Sequence, residues 1–135
     1  MKQIRYFVIQ NALRWLSPNG TIVMHDCNPR KEPNQVVPKL DEIDEWNGDT
    51  WKAAVAMRLR SDVEIVVVDV DHGVGVIRKR TNRHQLPKYW QDYLNFGAIS
   101  MLTYEDLEDN RETLLRLISM KELREWFDEE LIEKS

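Results

Sequence analysis

Two short, strongly apolar segments constrain the fold of this chain more than any other feature. Residues 21–25 (TIVMH) and 63–70 (VEIVVVDV) are dense in β-branched side chains. Runs of this kind are typical of strands that are buried on both faces of a sheet. A helical apolar pattern over residues 50–60 lies between them, so we predict a parallel strand pair joined by a right-handed crossover.

The neighbouring segments complete a small sheet. Residues 4–16 have apolar positions at helical spacing, and the turn at 17–20 (SPNG) ends that pattern because Pro18 cannot continue a helix. Residues 74–78 return after the turn at 71–73 (DHG) as a third strand, antiparallel and best placed between the first two. The predicted fold class is therefore α/β, with a three-stranded mixed sheet and flanking helices.

The remaining segments are predicted to be loop and helix. Residues 26–48 are polar and contain three prolines, which predicts a long loop, and Asp49 is the predicted cap of the next helix. An aromatic patch over residues 89–96 follows a basic linker. Two helices then begin at capping boxes headed by Thr103 and Ser119, and Ile118 is assigned to the apolar stripe of the first.

Composition limits the function classes. The chain has 135 residues, of which 42% are hydrophobic, and a formal net charge of -4. We divide it into an α/β region, 1–80, and a helical C-terminal extension that packs on it, 81–135. No segment has the apolar core of a secretory signal or a membrane span, and Cys27 is the only cysteine. These features predict a cytoplasmic protein that binds neither membrane nor nucleic acid.

The predicted sheet identifies a candidate site. In open α/β sheets, ligands bind beyond the carboxyl ends of the parallel strands. Residues 25–28 (HDCN) leave the first strand, residues 46–49 (WNGD) enter the crossover helix, and Asp69, Asp71 and His72 leave the second strand. We therefore expect two histidines and several carboxylates to share one edge of the sheet.

Roles for these residues follow from their chemistry. His25 is the candidate general base, and Asp26 is its orienting carboxylate or a substrate ligand. The predicted substrate contacts are Asn28, Trp46, Asn47, Gly48, Asp49, Asp71 and His72. Simpler interpretations stay open: a histidine at a strand end beside an aspartate turn, and a turn with a helix cap at residues 46–49. A divalent metal held by His25, Asp26, Asp69, Asp71 and His72 is a further alternative.

The same residues carry a family resemblance. Residues 16–26 (LSPNGTIVMHD) are similar to the late sheet motif of class I S-adenosylmethionine-dependent methyltransferases, where a Leu-x-Pro-Gly-Gly turn precedes the fifth strand. Residues 46–52 (WNGDTWK) and 67–78 (VVDVDHGVGVIR) resemble a branch associated with saccharide and small-molecule modification. The resemblance implies a partial Rossmann-like fold, S-adenosylmethionine as methyl donor and O-methylation of a small molecule or saccharide.

The chain departs from that family where the donor binds. The family uses a Gly-rich loop after its first strand and an acidic residue after its second, and this sequence has neither. We therefore expect the isolated chain not to bind S-adenosylmethionine and to be inactive alone, and whether it is an enzyme stays open. The chain resembles the C-terminal half of the family's fold, so the strand that pairs with residues 21–25 in the family is missing. The unpaired edge predicts a homo-oligomer or a donor-binding partner chain. The alternative function is a non-catalytic interaction domain or a degenerate remnant.

Overall fold

Four strands form one mixed sheet in the computed structural model, which describes residues 2–37, 39–42, 47–94 and 96–134. The strands are β1 (Thr21–Met24), β2 (Val63–Val68), β3 (Val74–Lys79) and β4 (Leu117–Ile118). Their order in space is β1-β3-β2-β4. β3 is antiparallel to both β1 and β2, whereas β4 is parallel to β2.

Seven helices surround this sheet within the described part of the chain. They are α1 (Lys2–Trp15), α2 (Glu32–Gln35), α3 (Thr50–Arg58), α4 (Lys88–Tyr93), α5 (Phe96–Met101), α6 (Tyr104–Leu115) and α7 (Met120–Lys134). The predicted α/β class and the position of β3 between two parallel strands are confirmed. The predicted long loop contains the short helix α2, which was not predicted because the prolines of this segment favour a loop.

The prediction of three strands is wrong, because β4 adds a fourth. Ile118 belongs to β4 and not to the apolar stripe of a helix. Arg116 adopts a left-handed conformation, with φ of 51°, and this residue ends α6 and turns the chain toward β2. Two residues are too few to show a strand pattern in sequence, so only the tertiary contact with β2 reveals β4.

The expected burial of the first strand on both faces is also wrong. β1 lies at the end of the sheet, where β3 is its one partner among the described strands. Met24 is buried, but Val23 on the other face is 64% exposed. β2, in contrast, is buried at every position because it has a strand on each side and helices on both faces.

The first face of the sheet carries the larger hydrophobic core. α1 and α3 contact each other, and α6 contacts α3. Trp51 of α3 is fully buried in this core together with Leu13 of α1 and Leu107 of α6. Leu86, from the segment between β3 and α4, belongs to the same cluster. Residues on both sides of position 80 thus share one core, and the division into 1–80 and 81–135 stays a prediction.

The second face is covered by α7 and contains a buried charge cluster. The Glu64 side chain is 1% exposed and accepts hydrogen bonds from Arg80 Nε at 2.8 Å, Trp126 Nε1 at 3.1 Å and the Arg83 backbone amide at 2.9 Å. Arg116 Nη1 lies 3.7 Å from the same carboxylate. We call these five residues the Glu64 cluster. They join β2, the segment after β3, the end of α6 and α7.

The helix caps agree with the sequence in two cases out of three. Thr103 and Asp106 form a reciprocal capping box at the start of α6, and Ser119 and Glu122 form another before α7. At the start of α3, Asp49 occupies the predicted N-cap position, but its side chain makes no capping hydrogen bond.

Candidate functional site

The backbone after β1 is fixed against the β2–β3 turn. The Cys27 amide donates to the Gly73 carbonyl at 2.9 Å, and the Asn28 amide donates to the His72 carbonyl at 2.8 Å. Gly73 has φ of 85°, and a Cβ placed there would lie 2.4 Å from the Asn28 Cβ. Glycine is therefore required at this position by both its conformation and its packing.

His25 lies just beyond the last residue of β1, between two carboxylates. Its Nδ1 is 3.0 Å from Asp26 Oδ1, and its Nε2 is 2.9 Å from Asp71 Oδ2. The His72 Nε2 is 3.9 Å from the other oxygen of Asp71. We call His25, Asp26, Asp71 and His72 the His25 rim. The structure thus brings together the predicted catalytic pair and two of the predicted substrate contacts, Asp71 and His72.

The electrostatics of the rim favour a charged histidine. The hydrogen bond to Asp71, followed by the negative charge of Asp26, raises the pKa of His25 above its ordinary value of 6.5. The hydrogen bond from His25 holds the pKa of Asp71 below its ordinary value. Both side chains are more than half exposed, so solvent and ligands reach them directly.

The entry to α3 supports the rim from beneath. Asn47 Nδ2 donates to Asp26 Oδ1 at 3.0 Å, which fixes the carboxylate that faces His25 Nδ1. The backbone amides of Asn47 and Gly48 both donate to the Asn34 carbonyl in α2. Asn47, Gly48 and Asp49 are buried, so they support the site and do not form its surface. Trp46, also a predicted contact, lies outside the described residues.

Asn28 and Asp69 have partners outside the rim. Asp69 forms an ion pair with Arg30, whereas His25 contacts Asp26 and Asp71. Asn28 is fully buried, and its Oδ1 accepts a hydrogen bond from Arg111. Arg30 and Asp69 line a groove of about 490 Å³ with residues 108–113 and Leu117. This polar groove adjoins the loop that follows His25.

Two supporting residues come from α6 and were missed in the sequence. Arg111 donates to the Pro29 carbonyl at 2.7 Å as well as to Asn28, and Tyr104 OH donates to the Arg30 carbonyl at 2.7 Å. These contacts fasten the loop after β1 to α6. They join residues 74 to 83 positions apart, so no local pattern indicates them.

Comparison of the chain with protein-family models, with curated proteins and with solved structures finds no significant match. The strongest indication of its chemistry is the His25 rim itself, in which both ring nitrogens of one histidine face carboxylates.

The metal alternative finds no cluster of ligands in the described ranges. Asp69 pairs with Arg30, and no three histidine, cysteine, aspartate or glutamate side chains described here are grouped to hold a metal ion. Among the described helices, none combines the length and the apolar character needed to cross a membrane.

Proposed function

We propose that the His25 rim is the acceptor-binding site of an S-adenosylmethionine-dependent methyltransferase-like domain, and that its acceptor is a hydroxyl group of a small molecule or saccharide. One observation carries this proposal. An exposed histidine, oriented by Asp26 and capped by Asp71, lies at the carboxyl ends of two parallel strands. A cytoplasmic location accords with Cys27, a buried thiol and the one cysteine of the sequence.

The geometry supports a specific way of removing the acceptor proton. Asp26 holds Nδ1, which leaves Nε2 as the nitrogen that accepts a proton. An acceptor hydroxyl that displaces the exposed Asp71 from Nε2 removes the strongest influence that raises the pKa of His25. His25 then loses its proton more readily, so the base forms when the acceptor arrives.

The sheet and the groove add support for this class of acceptor. The resemblance implies that the sheet closes with an antiparallel hairpin, and β2 and β3 form such a hairpin. Carboxylates and guanidinium groups line the groove beside the rim, and such groups hydrogen-bond the hydroxyls of a polar ligand.

The described residues do not fit the methyl donor. Gly73 and Gly75 are close together, but they lie in the β2–β3 turn and at the second position of β3, packed against Asn28 and Cys27. Neither begins a helix that could receive the donor. The proposal therefore assigns only the acceptor side to this chain, with the donor held by another unit.

Histidine NMR tests the acceptor site directly. With ¹³C-labelled histidine, the ring signal of His25 is expected to shift and saturate as methyl glucoside or catechol is added, because the hydroxyl replaces Asp71. His84, which lies 3.6 Å from Glu129 outside the rim, is the internal control. His25→Gln and His84→Gln assign the two signals.

Three results would contradict parts of this proposal. If no hydroxyl probe shifts the His25 signal, even at the solubility limit of the probe, the acceptor site is contradicted. If an O-methylated probe shifts the His25 signal as strongly as the free hydroxyl does, proton removal by His25 is contradicted. Calorimetry with millimolar S-adenosylmethionine is expected to show no saturable binding, and saturation would mean that the chain has its own donor site. The second candidate, a non-catalytic interaction domain, is favoured by the edge of β1 that no described strand pairs with.

A further inference from the structure

We propose that β1 pairs antiparallel with β1 of a second copy of the chain, which joins two four-stranded sheets into one of eight strands. The described sheet has two end strands. β4 has two residues and is followed at once by α7, and such short strands are poor templates for further pairing. β1 has four residues, Thr-Ile-Val-Met, with neither a charge nor a proline to prevent pairing.

The side chains of the second face continue toward this edge. Val23 lies beside Val76, which lies beside Val66 on the next strand. Val66 and Val76 are buried with Trp126 of α7, but α7 does not cover Val23, which is 64% exposed. Pairing with a second β1 places the two Val23 side chains close together across the junction and removes both from water.

The charges at the two ends of β1 select a second copy and set its direction. Arg78 lies opposite Thr21 at the start of the strand, and its Nη1 donates to Thr21 Oγ1 at 2.7 Å. His25, Asp26 and Asp71 lie together at the end of the strand, so two carboxylates outnumber one imidazolium there, and the Asp26 side chain is one-third exposed. In an antiparallel pair each Arg78 end lies beside the Asp26 end of the other copy, whereas a parallel pair places like charges together. The edge is thus complementary to itself, as a two-fold dimer requires.

This dimer does not rest on the proposed acceptor site, which opens at one end of each strand. A donor-binding unit that pairs with β1 would compete with the second copy for the same edge. Dimerisation of the isolated chain and acceptor binding at His25 can therefore fail independently.

Sedimentation velocity at low micromolar concentration tests the proposal. The wild-type chain is expected to be a dimer. Val23→Lys places a charge on each side of the junction and is expected to raise the dissociation constant at least about tenfold. Val70→Lys is the matched control, because Val70 is also partly exposed but follows β2 in the turn. It is expected to sediment like the wild type.

Hydrogen exchange of the wild-type chain provides a measurement that needs no variant to fold. Alternate residues of residues 21–24 direct their amides away from β3, and these amides are expected to be protected only in the dimer. A wild-type monomer overturns the proposal. So does a dimer in which those outward amides exchange freely, or one that Val70→Lys weakens as much as Val23→Lys does.

Discussion

The Glu64 cluster and the His25 rim combine similar chemical groups in opposite surroundings. Each places carboxylates within hydrogen-bond distance of nitrogen-bearing side chains that can carry positive charge. The Glu64 side chain is 1% exposed, whereas His25 and Asp71 are 57% and 60% exposed. Burial, and not the pairing of charges itself, therefore decides whether such a cluster holds the fold together or is available to a ligand.

Burial also decides how many partners each cluster needs. Glu64 must satisfy its oxygens inside the protein, and three donors supply its hydrogen bonds, two from the segment after β3 and one from α7. His25 and Asp71 can exchange their contact for water at little cost. A buried charge that loses its partners is expensive, while an exposed one is not.

The largest expected effect is at the buried carboxylate. Glu64→Gln leaves the side chains of Arg80 and Arg116 without a buried counter-charge and is expected to lower the free energy of unfolding by about 3 kcal/mol. Urea denaturation measures this change. The matched control is Asp62→Asn, whose side chain is 61% exposed in its pair with Arg60 and is expected to cost less than about 1 kcal/mol. Equal effects of the two variants would mean that burial does not decide how much a charge pair stabilises the fold.

Glu64→Gln is also expected to change how the stability of the protein depends on pH. Burial acts to raise the pKa of Glu64, but hydrogen bonds from the Arg83 amide and Arg80, with the charges of Arg80 and Arg116, outweigh it and lower the pKa below its ordinary 4.5. The stabilisation is complete above 4.5 and is lost as the pH falls through the folded-state value. Acid unfolding of Glu64→Gln should lack this contribution. An unchanged acid profile would mean that other carboxylates control it.

An intermediate effect is expected where α6 supports the rim. Arg111→Ala removes the hydrogen bonds to Asn28 and Pro29 and is expected to cost about 1–2 kcal/mol, because the buried Asn28 oxygen loses a donor. The His25 ring signal should shift as the loop loosens, although Arg111 does not contact His25. Tyr104→Phe loses the bond to the Arg30 carbonyl and the one accepted from Arg111, but it keeps the bonds from Arg111 to Asn28 and Pro29, so it should do less on both counts. A larger effect of Tyr104→Phe would place the main support at the tyrosine.

The smallest effect on stability, and the largest on titration, is expected at Asp71. Asp71→Asn removes the main cause of the raised pKa of His25, so the titration midpoint of His25 should fall toward 6.5. A raised folded-state pKa stabilises the protein fully below 6.5, and that contribution is lost as the pH rises through the folded value. In this exposed pair we expect no measurable change in the urea midpoint at neutral pH. NMR titration measures the pKa, and Asp62→Asn should leave it unchanged.

The sequence predicts features that depend on local patterns. The helix–turn–strand sequence around residue 20, the β2–β3 hairpin and both capping boxes depend on residues close together in the chain. The juxtaposition of His25, Asp26 and Asp71 was also predicted, since the rule on parallel strand ends needs only the order of elements. Strand ends are therefore informative even without knowledge of side-chain contacts.

The features that the sequence does not predict depend on tertiary contacts. β4 is a strand only because β2 offers it hydrogen-bonding groups, and the burial of Glu64 depends on α7 covering that face. In sequence, Glu64 appears as a polar interruption within an apolar strand. Nothing near it indicates that Arg116 and Trp126 will reach it.

The order of synthesis gives β4 a further consequence. The β2–β3 hairpin consists of neighbouring residues and can form soon after it leaves the ribosome. One side of β2, in which five of six residues are Val or Ile, then remains unpaired until residues 117 and 118 emerge. During that interval the nascent chain exposes one edge of this strongly apolar strand. Chaperones that bind extended apolar segments therefore have the longest time to bind there.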